Sequence, residues 1–275
     1  MKSTVLLFQV IAVLTFSLVL AGSPATPGKD RAINNFHPAG SPTTSNAPKP
    51  LFKALAVAST ASDHLKMIAC ARPALQRIAR ENNIVIDVTT DTSQINDTNL
   101  KNYQVFIQLH EAPFDMSYAQ QAALQKFILD GKGWVGIHAA GLTGKNFLNP
   151  GMTYWSWFEE FIGGVEYSPH PKFQKGSVKV EDQSHPAMKN IPASFSIGDE
   201  WYEFNKSPRD QVRVLAVADE SSYTQRKPMG DHPIIWTNEK YRRMIYIGIG
   251  HDSTMCSDKN FLTIVANSVL WAGEK

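Results

Sequence analysis

The chain has 275 residues, 43% hydrophobic and 19% charged, a balance that suits one ordinary globular domain and excludes a disordered or fibrous protein. Its formal net charge is +2, with no long Lys/Arg run and no interleaving of basic with aromatic residues, so nucleic acid is excluded as a partner. At the N-terminus, Lys2 precedes an apolar run from Val5 to Leu20, and small residues follow at Ala21, Gly22, Ser23 and Ala25. That order is the one of a secretory signal, so residues 1–23 are expected to be cleaved and the product exported, to the periplasm or the exterior. Gln9 interrupts the run and no basic stop-transfer cluster follows it, which argues against a membrane span in the mature form. The stretch "LAGS" has no Cys for lipid attachment. Residues 24–50 are rich in Pro, Gly, Ser, Thr and Asn without apolar periodicity and read as a flexible linker, in which His37 is a solvated bystander.

The folded domain is expected over 51–275. "LFKALAVAS" reads as a buried strand, and "IACARPALQRIAREN" as a helix with Ile68, Ala71, Leu75, Ile78 and Ala79 on one face and Pro73 in its first turn. "IVIDVTT" and "YQVFIQL" read as two further strands, the second ending at His110. Ser117 with Gln120 forms a capping box for the helix "YAQQAALQKFILDG", whose Tyr118, Leu124, Phe127 and Ile128 are expected to face inward and which Gly131 ends. "GWVGIHAAG" then reads as a strand running into a sharp turn, with His138 at the apex where many α/β hydrolytic enzymes hold a nucleophilic Ser or Cys. This alternation specifies a mainly parallel sheet covered by helices on both faces, whose ligands bind at the carboxyl ends of the strands. In the second half "SVKVED", "VRVLAVAD", "HPIIWTNE" and "RRMIYIGIG" read as strands, and "FLTIVANSVLWAG" as a helix with an apolar stripe at Phe261, Val265, Val269 and Leu270.

The ordered run "GKGWVGIHAA", "WSWFEEFIGGVEYSPHP", "VEDQSHPA", "DEWYEF", "DESSY", "GDHPIIW" and "GIGHDS" resembles the ThuA-like, or trehalose-utilisation, family over about residues 52 to 273. The resemblance implies a flavodoxin-like three-layer α/β sandwich related to class I glutamine amidotransferases, with extra β-rich loops in the second half. It also implies bacterial carbohydrate metabolism, with a disaccharide or a keto-sugar as the small-molecule partner. In the amidotransferase relatives a Cys stands at the elbow and a His follows a late strand. Here those positions fall on His138 and His251, so two imidazoles are expected to meet where nucleophile and base would stand. Without a Ser, Thr or Cys between them the acyl-enzyme route is closed, and Ser253 lies downstream with no elbow to present it.

A close imidazole pair can act as general acid and base, or both rings can bind a borderline divalent metal such as zinc with a carboxylate completing the set. "SIGDEWYEF" places Asp199 and Glu200 at the end of a short strand; neighbours in an extended chain point to opposite faces, so one reaches the site, and Glu200 is read as the acid or base with Asp199 as its support. His64, Trp155, His170, Trp201, Tyr202 and His232 are the candidates for substrate contact, since flat rings beside carboxylates suit a sugar's C–H face and hydroxyls. His110 and His185 are read as structural. One of Trp155 and Trp157 is expected in the core. Cys70 and Cys256 both fall near the carboxyl edge of the inferred sheet, and in an exported protein they either pair or remain two separate thiols. The reading is thus an enzyme acting by hydrolysis, elimination or isomerisation; the competing readings are a non-catalytic carbohydrate-binding module and a scaffold for other exported enzymes.

Overall fold

Along β1 (Lys53–Ala58), Ala54, Ala56 and Ala58 alternate with Leu55 and Val57, and every one of them is buried. A strand covered on both faces needs apolar side chains at consecutive positions, and the alternation sends the alanines into one core and the larger pair into the other. The structure, a computed structural model, describes residues 48–274 apart from 149, 151 and 153; the expected signal segment and the linker up to residue 47 lie outside the described residues.

After β1 the chain runs through α1 (Leu65–Glu81), β2 (Val85–Thr89), α2 (Asp97–Leu100), β3 (Val105–Leu109), α3 (Tyr118–Leu129) and β4 (Gly133–Ile137). It continues through α4 (Ser156–Phe161), β5 (Tyr167–Ser168), β6 (Gln174–Val180), β7 (Ser194–Asp199), β8 (Glu203–Phe204), β9 (Arg213–Ala218), β10 (Pro233–Thr237), β11 (Met244–Ile247) and α5 (Lys259–Gly273). Among the described residues nine strands form one sheet in the order β2-β1-β3-β4-β11-β10-β9-β6-β7, and β5 pairs with β8 apart from it. The first five strands in that order are mutually parallel, and the remaining four pair antiparallel. Apolar residues of α1 and α5 pack on one face of the sheet; those of α3 and α4 pack on the other. This is the three-layer, flavodoxin-like α/β arrangement expected from the sequence. Among the described residues no helix is long and apolar enough to cross a membrane.

Several local expectations need correction. The helix α1 starts at Leu65, so Pro73 lies inside it rather than in its first turn. Met67, Ile68, Ala71, Leu75 and Ile78 are buried against the sheet, and this packing outweighs the backbone hydrogen bond that the proline removes. The capping box of Ser117 and Gln120 is present, but Tyr118 is 71% exposed because the first helical position of α3 turns to solvent. Along α5, Phe261, Ile264, Val265 and Val269 make the buried stripe, while Leu270 is half-buried at its margin. Cys70 and Cys256 form a disulfide across 186 positions, tying the second turn of α1 to the short 3₁₀ turn Ser253–Ser257.

Closing so long a loop lowers the entropy of the unfolded chain by the equivalent of about 5 kcal/mol in the chain-entropy picture. Replacing both cysteines by serine is expected to reduce the unfolding free energy by about 2–5 kcal/mol. Urea denaturation of the oxidised, reduced and double-serine forms checks this, and identical curves for all three would contradict it.

Candidate functional site at the carboxyl edge of the sheet

Four neighbouring strands of the sheet, β1, β3, β4 and β11, are each followed by a histidine: His64, His110, His138 and His251. On a sheet ordered β2-β1-β3-β4 the crossover after β1 runs outward to β2 and the one after β3 runs the other way to β4, which opens a crevice at the carboxyl ends of β1 and β3. The histidines fill that crevice. Ring centroids lie 4.5 Å apart for His64 and His110, and 5.2 Å apart for each of the pairs His64–His251, His110–His138 and His138–His251.

The backbone pays for this convergence. His110 has φ +58 and His138 φ +50, left-handed conformations that cost a non-glycine residue about 1–3 kcal/mol each and persist where the surroundings dictate them. The His110 N–H donates to the carbonyl of Ile137, and the Tyr246 hydroxyl donates to the carbonyl of His138 at 2.9 Å. Gly141 leaves room for that tyrosine, since a Cβ there would stand 2.3 Å from its hydroxyl oxygen. On the β11 side the chain reaches His251 through Gly250, at φ +134 and with Ile137 and Phe261 3.0–3.1 Å from where a Cβ would be.

His138 is fully buried, His110 is 1% and His64 5% exposed, and His251 is half-buried. Burial, reinforced by the neighbouring imidazoles, holds His110 and His138 well below the usual histidine range. Burial also lowers His64, against the pull of Asp63. These three rings are therefore neutral at pH 7. The Nδ1 of His138 lies 3.0 Å from the Gly248 carbonyl, which can only accept, so the proton sits on Nδ1 and Nε2 presents a lone pair. That Nε2 and Nδ1 of His64 are buried without a hydrogen-bond partner. Leaving such groups unpaired costs about 1–3 kcal/mol each.

Asp199 and Glu200 divide their work as alternation along a strand predicts. The Asp199 side chain is fully buried and accepts from the backbone N–H of Gly250, of His251 and of Glu200, so it holds the loop that carries His251. Burial pushes its carboxyl up to about 7, against those three donors. Glu200 turns into the site, its Oε2 lying 3.2 Å from Nδ1 of His251 and 3.3 Å from Nε2 of His170. Tyr202 covers the other side, its ring centroid 3.9 Å from that of His138 and 5.4 Å from that of His170.

The structure thus brings together His64, His138, His170, Glu200, Tyr202 and His251, with Asp199 beneath them. It also places His110 there, packed on His64 and His138; a signal exists in the sequence, because "QLH" ends β3 as "GIH" ends β4 in the adjacent strand. Glu111 is a further residue that the sequence reading does not single out. It is 5% exposed, and burial, with Asp115 adding to it, pushes its carboxyl up to about 7.

Two candidates for substrate contact are corrected. Trp201 is fully buried, stacked on Tyr223 at 4.8 Å with its indole N–H donating to the Gln174 carbonyl, and so belongs to the core. His232 is 2% exposed; its Nε2 donates to the Tyr202 carbonyl and its Nδ1 lies 3.0 Å from both Glu220 and Tyr223, so it supports the Tyr202 backbone instead of facing a ligand. Trp155 is half-buried, stacked on Trp157 and Phe158, and with Phe114, Leu142 and Tyr154 lines a shallow hollow of about 10 Å³, the room of about one water. The walls of that hollow come from the segments that follow His110 and His138. Trp157 is half-buried against Phe161 and Tyr241, so the fully buried ring of this segment is Phe158. No thiol stands at the elbow, because both cysteines are paired.

The family model for ThuA, trehalose utilisation, matches residues 53–272, and the chain belongs to this family. A ThuA-like protein of Bacteroides uniformis is 32% identical, with a TM-score of 0.73 over 86% of this chain and 95% of that one. A ThuA-like protein of Parabacteroides merdae shares the fold at 15% identity, with a TM-score of 0.60 over 82% of this chain and 90% of that one. A GMP synthase protein of Thermoplasma acidophilum also shares it, at 13% identity and a TM-score of 0.50 over 80% of this chain and 93% of that one. No curated protein matches the chain.

Two outcomes follow from this geometry. Asp199→Asn replaces an acceptor of three N–H groups by an amide with one acceptor oxygen, and is expected to lower stability by about 1–3 kcal/mol in urea denaturation; an unchanged midpoint would contradict the supporting role. His185, outside the site, accepts from the Ala187 N–H, and burial pushes it from 6.5 down to about 4. Between those values the unfolded chain binds a proton that the folded one refuses, so stability is greatest above pH 6.5 and falls as the pH drops toward 4. This contributes up to about 3 kcal/mol, and His185→Asn is expected to flatten that part of the stability profile.

Proposed function

We propose that this chain is an exported carbohydrate-utilisation enzyme that acts on a disaccharide or a keto-sugar derived from one by proton transfer. The N-terminal signal pattern and the Cys70–Cys256 disulfide support export. Family membership supports the carbohydrate class. The observation that carries the reaction is the position of Glu200, 3.2 Å from His251, beside a buried neutral His138.

Direct glycoside hydrolysis ordinarily uses two carboxyl groups flanking the bond. Here Asp199 is buried and committed to backbone N–H groups, so Glu200 is the one carboxylate of the pair that faces the histidines. That favours elimination or isomerisation of a keto-sugar, in which a C–H beside the carbonyl is acidic enough for a side-chain base. In elimination one group removes the α proton, the carbon–oxygen bond to the departing sugar breaks, and a second group returns a proton to that oxygen, so charge and protons balance. Glu200, held beside His251, suits the first role, and Nε2 of His138, which offers a lone pair, can accept a hydrogen bond from a sugar hydroxyl.

The test is to incubate the protein with trehalose and with 3-keto-disaccharides in D₂O and to follow products and deuterium at the α carbon by NMR. Turnover of a keto-disaccharide with α exchange is expected, falling about 10²–10⁴-fold in Glu200→Gln and His251→Gln. Saturable binding without turnover, equal in the variants, would make the protein a carbohydrate-binding module instead.

A further inference from the structure

We propose that His64, His138 and His251 form the protein side of a divalent metal centre of the zinc type, with one coordination position left open toward Glu200. Each ring offers one nitrogen, and these nitrogens lie within 4.8 Å of one another, a spacing that small side-chain rotations close onto a common ion. The inference rests on the geometry of these rings and is independent of which sugar the protein uses.

Four observations converge on it. First, two ring nitrogens lack partners: Nδ1 of His64 and Nε2 of His138 are buried and make no hydrogen bond. Native interiors rarely leave two such atoms unpaired on neighbouring rings, and a shared cation would satisfy both. Second, the Gly248 carbonyl fixes the His138 tautomer so that Nε2 is free to ligate, the outer arrangement that metal-binding histidines ordinarily have. Third, the rings are presented from rigid supports. His138 sits on a left-handed turn at the end of β4, and the disulfide Cys70–Cys256 clamps the helix that follows His64 to the turn that follows His251. Fourth, Glu200 lies 3.2 Å from His251, where it can complete the coordination or take a proton from a water held at the open position.

The donor set also selects the ion. Three imidazoles suit zinc, cobalt, nickel or copper, whereas calcium and magnesium call for a cage of oxygen ligands. His110, its centroid 4.5 Å from that of His64 and 5.2 Å from that of His138, stands behind the three rings and packs them.

The experiment uses untagged protein, purified with trace zinc, dialysed, and analysed for metal by plasma mass spectrometry; the stripped protein is then titrated with cobalt and followed by visible absorption. About one equivalent of zinc per chain is expected, with intense tetrahedral or five-coordinate cobalt bands. His64→Ala and His251→Ala are each expected to retain less than about a tenth of an equivalent, while His185→Ala, outside the cluster, keeps the full amount. Zinc is further expected to raise the Tm of the wild type and of His185→Ala and to leave the two cluster variants unshifted, a readout that also shows all four proteins folded. A folded wild type that binds neither ion overturns the proposal, as does zinc retained in both cluster variants. Because no substrate enters this experiment, a negative result leaves the sugar assay free to succeed, and a positive one does not presuppose it.

Discussion

The site is built on two adjacent parallel strands, β3 and β4, that each end in a histidine forced into left-handed backbone. The conformation turns both side chains up from the strand ends instead of letting the chain run on. Its cost is met by packing and hydrogen bonding around the elbow: the Tyr246 hydroxyl on the His138 carbonyl, the bare Cα of Gly141 beneath it, and the tie from the His110 N–H to Ile137. Without that over-determined turn, the β4 segment would relax toward ordinary backbone and His138 would leave the crevice. Everything else at the edge is arranged around a ring whose place is already fixed.

From burial follows chemistry. Imidazoles packed this closely at the ends of strands buried on both faces cannot all carry charge, so His64, His110 and His138 are neutral and offer lone pairs rather than positive potential. The more exposed rim supplies the carboxylate. Glu200 lies between His170 and His251, and Asp199, turned the other way, holds the loop beneath them. The elbow presents an imidazole, and both cysteine sulfur atoms of the chain are held in the disulfide.

Much of this is legible in the sequence. Consecutive apolar residues in β1, β3 and β4 specify a doubly covered parallel sheet, and the small residues around His138 specify the elbow. Alternation at Asp199 and Glu200 separates the carboxylate that holds the loop from the one that faces the histidines on residue order alone. What is not legible depends on distance along the chain. That His110 packs against His64 and His138 is hidden because those partners lie in other segments and only the strand order puts them side by side. Trp201 and His232 read as ligand contacts because aromatic and imidazole side chains fit a sugar site as well as a core, and only Tyr223, Gln174 and Glu220 around them decide the matter. Pro73 misleads because tertiary packing of α1 extends the helix beyond the start that its sequence marks.

The most direct test of the account is whether a sugar ligand is felt at the histidine rings of the site. Histidine ring signals, assigned by NMR on protein labelled at the imidazole nitrogens, would be followed while a keto-disaccharide or a non-reacting analogue is added. The account predicts shifts at His64, His138, His170 and His251 with His185 unmoved, since the latter faces Trp271 away from the strand ends. Shifts confined to His185, or saturable binding with all four site rings unperturbed, would place the ligand elsewhere and contradict the claim that this edge is the functional site.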